Sequence, residues 1–420
     1  MMDYVQAMEY MDRIGKRGSI LGLGPVKMLL SRLHNPQDKL PVIHVAGTNG
    51  KGSICTFLEA MYKAEGKRVG RYISPTIHTY LERFQINGVY MKEDQFAKLL
   101  ERIVPVMEEM EAEGLELPTA FEIETAVAFL YFLEEKTDIV ILETGMGGRE
   151  DATNVVAKPL CTVFASIGMD HMQFLGDTVE KIAMEKAGIM RDNCPVVSYP
   201  NTPEVCKVLE QQAGLHNADV QIVDRKKIDI LSETLTGSCF SYAGVEYSIG
   251  LAGTYQVYNA VTAIACKLLL DGSLEKESLL NVHWEGRFEI VSDNPMFIRD
   301  GAHNIDGAKA LLGSLQKHFT NRKIIFIIGV LRDKEYGKMM EFLCPMASCV
   351  YTLTPDNPRG LEAETLQEVV RLYCENVTAC QTLKEAVTKA RQTYEEYEYA
   401  GEQAVIVAWG SLSYIGQIVI

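Results

Sequence analysis

The chain has 420 residues and a formal net charge of −15, with 41 Lys and Arg against 56 Asp and Glu. That length exceeds what one hydrophobic core ordinarily serves, so two domains are expected, and a hydrophobic fraction of 47% supplies both with core material. The acidic balance repels phosphate backbones and anionic lipid, so neither nucleic acid nor membrane is an expected partner.

In chain order, the N-terminal MMDYVQAMEYMDRIGKRG is charged and has no continuous apolar core, so neither a signal peptide nor an anchor is read there. No run of about 18 apolar residues follows it, and the ten cysteines are scattered from Cys55 to Cys380 without a C-x-x-C pair. Buried free thiols in a reducing cytoplasm are the expected reading.

Short apolar runs rich in β-branched residues then alternate with longer amphipathic stretches, the pattern of parallel strands joined by helices in an α/β fold. LPVIHVAG is the first strand, and it runs through the glycines of HVAGTNGKGS into helical ICTFLEAMYKAEG. Successive N–H groups in such a turn converge on phosphate, Lys51 adds a positive charge, and the helix adds its N-terminal dipole. Thr48, Asn49, Gly50, Lys51, Gly52 and Ser53 are therefore candidate nucleotide contacts. The stretch departs from G-x-x-x-x-G-K-[ST], with Val45 in place of the first glycine, Gly52 in place of the hydroxyl, and Ser53 one residue late. A plain strand-turn-helix connection is the competing reading.

DIVILETG is the next clear strand; Glu143 ends it, and GMGGREDATN follows with Arg149 and Asp151. An acidic strand end beside a phosphate loop is where nucleotide-binding sheets hold Mg²⁺, and a solvated strand end is the alternative. LCTVFASIG leads to His171 in a loop and to Lys186 on the helix after it. Taken singly, such a histidine is ordinarily a surface group and such a lysine faces water, although a neutral imidazole can complete a metal shell of oxygens. Residues 253–271, GTYQVYNAVTAIACKLLLD, read as one helix bearing Asn259.

Turn signals in WEGRFEIVSDNPM, which contains Arg287, place a domain boundary near residues 292–295. FIRDGAH, KIIFIIGV, CVYTLTP and AVIVAWG then read as strands of a C-terminal α/β domain of about 125 residues, with ALLGSLQKHF and ETLQEVVRLYCENV as its helices. Asp300 and His303 stand at the end of the first of these strands, where carboxylate and imidazole can address a nucleotide or a reacting group. Asn259, Arg287, Asp300 and His303 also read singly as structural polar residues.

Together these stretches resemble the folylpolyglutamate synthase and dihydrofolate synthase family, a branch of the Mur-ligase-like ATP-dependent amide ligases. The resemblance runs in order through LGLGPVKMLL, GTNGKGS, TAFEIETAVAFLYF, ETGMGGREDATN, SIGMDH, EKAGIM, WEGRFE, DGAHN, GVLRDKEY, TPDNPRG and WGSLSY. It implies a P-loop ATP-binding domain with a parallel-type sheet at residues 1–293 and a C-terminal Rossmann-like glutamate-ligase domain at 294–420. It implies that the Lys51 loop holds the ATP triphosphate and that Mg²⁺ is held by Ser74, Glu143 and His171. The stretch SPTIHTY departs from the family's serine-proline-histidine form and displaces His78. Lys186 matches the family's carbamylated lysine, whose carbon dioxide adduct turns a cation into an anion that can sit near Mg²⁺. Asn259, Arg287 and Asp300 match nucleotide contacts, with His303 close to the reacting groups. Tyr255 stands where histidine is common, while Gln256 is kept, and Arg149 and Asp151 fall in the region that receives the pterin.

The implied reaction is attack of a folate-type carboxylate on the γ-phosphate of ATP, giving an acyl phosphate, followed by attack of the L-glutamate amine and loss of phosphate. No nucleophilic side chain is needed, so no cysteine receives a catalytic role. Dihydropteroate and tetrahydrofolate read equally as acceptors, and a monomer is expected. The rivals are a Mur-type ligase acting on a cell-wall nucleotide precursor and a nucleotide-switch protein; the folate-type motifs disfavour the first, and the lack of N-K-x-D weakens a GTPase version of the second.

Overall fold

The computed structural model describes residues 2–16, 18 and 22–418, so Leu21 at the head of LGLGPVKMLL lies outside it. The chain forms two compact units. One gathers the chain up to Lys226 together with Tyr258–Leu279, and the other gathers Lys227–Val257 with the chain from Leu280 onward.

The first unit is built on β1 (Val42–Ala46), β2 (Val69–Tyr72), β3 (Phe84–Ile86), β4 (Val89–Tyr90), β5 (Ile139–Glu143), β6 (Cys161–Phe164), β7 (Val196–Ser198) and β8 (Val220–Ile222). They form one sheet in the order β4-β3-β2-β5-β1-β6-β7-β8. The strands from β2 to β8 run parallel, and β3 and β4 add an antiparallel edge. Every residue of β1 and β5 is buried, which is why these runs are apolar apart from His44 and Glu143 and do not alternate. Val42, Val140 and Leu142 pack with Phe96, Ile123, Phe129 and Leu29 from three helices in the main core of this unit. One of these helices, Ala120–Glu134, is fixed at its start by a capping box between Thr119 and Glu122. Because β2, β5, β1 and β6 are neighbours, Ser74, Glu143, the Gly47–Gly50 turn and His171 all follow the carboxyl ends of adjacent parallel strands.

The second unit holds β9 (Ile228–Thr234), β10 (Gly237–Tyr242) and β11 (Val245–Ile249) as an antiparallel sheet. Its larger sheet contains β12 (Glu289–Asp293), β13 (Met296–Asp300), β14 (Lys323–Ile328), β15 (Ala347–Leu353), β16 (Val377–Cys380) and β17 (Ala404–Trp409), in the order β12-β13-β17-β14-β15-β16. All neighbours there are parallel except β12 with β13. Ile298, Phe326, Val407 and Trp409 lie in its core with Leu311 and Leu315 of the helix Ile305–His318.

All seven strands and the residue 253–271 helix read from the sequence are present, the helix as Thr254–Asp271. The compact units, however, do not divide at residue 293. The Asp293–Met296 turn closes a hairpin between β12 and β13, because an Asn-Pro signal marks a chain reversal inside a sheet as well as between domains. Residues 227–257 also group with the second unit, where Glu233 accepts a hydrogen bond from Thr254 Oγ1 at 2.8 Å and pairs with Lys317 at 3.0 Å. Among the described residues no helix is long and apolar enough to cross a membrane.

Candidate active site

The turn after β1 is drawn tight by its neighbours. Thr48 N–H and Asn49 N–H donate to Ser166 O at 2.7 and 3.1 Å, and Thr48 Oγ1 exchanges hydrogen bonds of 3.1 Å with both Gly168 O and Gly168 N–H. Gly50 closes the turn with φ +88°, and a Cβ there would strike the Asn259 amide, so both the conformation and the close approach require glycine. The helix Lys51–Ala64 begins immediately, with no side-chain cap, and the N–H groups of Lys51, Gly52 and Ser53 form the first turn that ordinarily addresses an anion.

Lys51 Nζ lies 3.2 Å from Gly47 O, 3.4 Å from Thr48 O and 3.7 Å from Glu143 Oε1. Glu143 is buried at the end of β5, so the solvated strand end is excluded. Lys186 does not face water either: it is buried, and its Nζ donates to Gly47 O at 2.9 Å. Burial first and the charge of Lys51 second bring its pKa down to about 7, against the opposing pull of Asp170 and Asp151. His171 takes a left-handed backbone conformation, its N–H donates to Asp170 Oδ1 at 2.8 Å, and its ring Nε2 lies 3.9 Å from Asp170 Oδ2. Ser74 is half-buried two residues beyond the end of β2. A buried carboxylate and a hydroxyl oxygen at adjacent strand ends are of the hard donor type that Mg²⁺ prefers.

The glycine-rich turn after β5 is locked against the helix Val179–Ala187. A Cβ on Gly148 would lie 2.6 Å from Lys186 O, and one on Gly188 would lie 2.6 Å from Arg149 Cα. Arg149 N–H donates to Glu185 O at 2.8 Å, and its half-exposed guanidinium is 3.3 Å from Glu185 Oε1. Asp151 is buried and held at both oxygens: Oδ2 accepts from Met146 N–H at 2.7 Å, and Oδ1 accepts from Thr153 N–H at 3.0 Å and Thr153 Oγ1 at 2.6 Å. Burial nevertheless raises its pKa above the ordinary carboxylate value.

Four residues that sequence reasoning did not single out support this turn. His44 Nε2 lies 2.8 Å from Thr153 Oγ1, and burial together with the charge of Arg191 holds the His44 pKa down to about 3, so the ring is neutral. Arg191 donates to Val156 O at 3.1 Å, Gly188 O at 3.2 Å, Met190 O at 2.9 Å, and Asn154 O and Oδ1 at 3.0 and 2.7 Å. Asn154 in turn donates to Arg149 O and Gly188 O at 2.9 and 3.0 Å. The available signal was position: Thr153 and Asn154 close the ETGMGGREDATN stretch, and Arg191 follows EKAGIM directly.

In the second unit, Arg287, Asp300 and His303 gather about Gly301. A Cβ on Gly301 would collide with Arg287 Nη1, and His303 Nδ1 lies 2.8 Å from Gly301 O. Asp300 accepts from Phe288 N–H and Ala302 N–H, both at 2.8 Å; burial raises its pKa while the Arg287 charge opposes the rise. Tyr255 is half-buried, and the charges of Asp300 and Arg287 both act on its phenol. His283, Glu285 and Glu289 also approach one another closely, but Glu289 already holds Arg299 at 2.6 and 3.0 Å, which makes that group an ion-pair cluster.

Residues 45–267 match the Mur ligase middle domain, and residues 286–412 match the Mur ligase, glutamate ligase domain. The dihydrofolate synthase/folylpolyglutamate synthase of Bacillus subtilis is 38% identical over 363 residues, which cover 83% of this chain and 84% of that protein. The chain belongs to the folylpolyglutamate synthase and dihydrofolate synthase family. Within this family the folylpolyglutamate synthase of Lacticaseibacillus casei is 30% identical over 377 residues, covering 86% of this chain and 87% of its own. The solved Mycobacterium tuberculosis folylpolyglutamate synthase complexed with ADP and AMPPCP superposes with a TM-score of 0.91 at 28% identity, over 99% of this chain and 98% of that one. The fold is therefore the Mur-ligase-like α/β arrangement that the motifs implied.

Proposed function

We infer that this protein is an ATP-dependent ligase that joins L-glutamate to a folate-type carboxylate, the activity named for its relatives. The observation that carries the reading is the convergence of Lys51 and Lys186 on the Gly47 carbonyl, at 3.2 and 2.9 Å, with Glu143 Oε1 3.7 Å from Lys51 Nζ. A glycine turn, a cation and a buried carboxylate at adjacent strand ends suit an ATP triphosphate. Folylpolyglutamate synthases have been solved with ADP, with AMPPCP, and with AMPPCP and folate.

In this reading the acceptor carboxylate attacks the γ-phosphorus and ADP leaves; the neutral amine of glutamate then attacks the acyl phosphate, and phosphate is expelled. Lys51 and the N–H groups of Lys51, Gly52 and Ser53 bind the phosphates and stabilise the charge that spreads during transfer. Thr48 and Asn49 fix the turn, and Asn259 packs against it. Ser74, Glu143 and His171 would hold Mg²⁺, which would supply charge neutralisation at the phosphates. Arg287 and Asp300 would contact the nucleotide, His303 would lie near the reacting groups, and Arg149 and Asp151 would face the acceptor. Carbamylation of Lys186, a monomeric state, residence in the cytoplasm and indifference to nucleic acid and membrane belong to the same proposal, as does the assignment of residues 1–293 to ATP binding and 294–420 to glutamate ligation.

The decisive measurement is phosphate release with ATP, Mg²⁺ and glutamate, using dihydropteroate and tetrahydrofolate as acceptors and mass identification of products. Turnover with both makes the enzyme bifunctional. Lys51→Ala is expected to lower glutamate-dependent turnover by roughly 10²- to 10³-fold while leaving the circular dichroism spectrum unchanged; retained turnover would remove the triphosphate assignment.

A further inference from the structure

We propose that His44 and Thr153 are positioning residues for the acceptor, acting through Asp151; this rests on the reading that the turn after β5 faces the acceptor. The argument is one of proton accounting. The Thr153 hydroxyl has a single hydrogen and donates it at 2.6 Å to Asp151 Oδ1, the oxygen that also accepts from Thr153 N–H. Thr153 Oγ1 must then accept from His44 Nε2–H at 2.8 Å, which fixes the neutral imidazole in its Nε2–H tautomer. Donation therefore runs one way, from His44 through Thr153 to Asp151.

All three groups are buried, with Thr153 at 0%, His44 at 1% and Asp151 at 6% exposure. Water cannot substitute for a missing partner easily there, so each link costs more to break than it would at the surface. With Met146 N–H on Oδ2 at 2.7 Å and Thr153 N–H on Oδ1 at 3.0 Å, the plane of the carboxylate is set. His44 lies on β1, three residues before Gly47, so the strand that carries the phosphate turn also fixes the carboxylate on the acceptor side. A surface aspartate in the same turn would sample several rotamers, and this one has a single orientation.

A role in folding alone would lower stability without distinguishing between substrates, so the test separates acceptor KM from ATP KM. Thr153→Val keeps the shape and deletes the hydroxyl; it is expected to raise the acceptor KM about tenfold with the ATP KM unchanged. Thr153→Ser restores the hydroxyl and is expected to stay within about twofold of the parent. Should Thr153→Val fold poorly, His44→Leu removes the donor at a buried position and is expected to raise the acceptor KM by roughly threefold or more. An unchanged acceptor KM in a folded Thr153→Val or His44→Leu protein overturns the proposal while the functional reading stands. Absence of turnover and of binding for every folate-type acceptor in the parent protein overturns both together.

Discussion

At Lys186 the surroundings, more than the residue type, set the chemistry. An ammonium held to about 7 is neutral in roughly half of the molecules near neutral pH, and only the neutral amine adds carbon dioxide. Intact-mass measurement with bicarbonate is expected to show one added carbon dioxide, more completely at pH 8 than at pH 6.5; an unmodified chain at both pH values counts against the carbamate. The same shift has a stability consequence. The folded pKa is depressed, so between about 7 and 10.5 the unfolded chain binds more protons, and stability from this site rises with pH across that window. Lys186→Met is expected to raise Tm by roughly 2 °C at pH 6.5 and by less at pH 9.5 while abolishing ligation. A loss of Tm at the lower pH contradicts the sign.

Among the elements, the turn after β1 and the glycine-rich turn after β5 owe their shapes to different devices. The first depends on Gly50, whose left-handed φ and contact with Asn259 predict that Gly50→Ala costs roughly 1 to 3 kcal/mol in chemical denaturation. ADP titration of the same variant is expected to show weakened binding, and parental affinity would argue against the turn as the phosphate site. The second depends on Arg191, which holds four backbone carbonyls and the Asn154 side chain without a carboxylate partner among its described hydrogen bonds. Arg191→Met leaves those acceptors unpaired and is expected to cost roughly 3 kcal/mol. Amide exchange should accelerate first over residues 145–156; uniform acceleration across the unit would show that Arg191 supports the whole unit and not this turn in particular.

For the molecule as a whole, the grouping of the chain predicts how it can be cut. A fragment covering residues 294–420 lacks β12, whose Glu289 binds Arg299, and lacks Phe288, which packs in the core with Ala302, Leu315 and Phe319. That fragment is expected to melt broadly and without cooperativity. A single sharp transition would show that residue 293 is a sufficient boundary after all.

Local residues by themselves determined the α/β class, the strands from LPVIHVAG to AVIVAWG, the glycine turn after β1 and the family. Each of these is written in contiguous residues: apolar runs of strand length, glycines where backbone must bend, and ordered motifs along one line. Only the tertiary structure decided that Lys186 is buried on the Gly47 carbonyl rather than solvated, that Glu143 meets Lys51, and that Arg287, Asp300 and His303 gather around Gly301. It also joined β12 to β13 across the expected boundary, and it linked His44 to Thr153 across 109 residues. Burial and hydrogen-bond partnership arise from chain segments distant in sequence, and no local pattern of residue types carries that information.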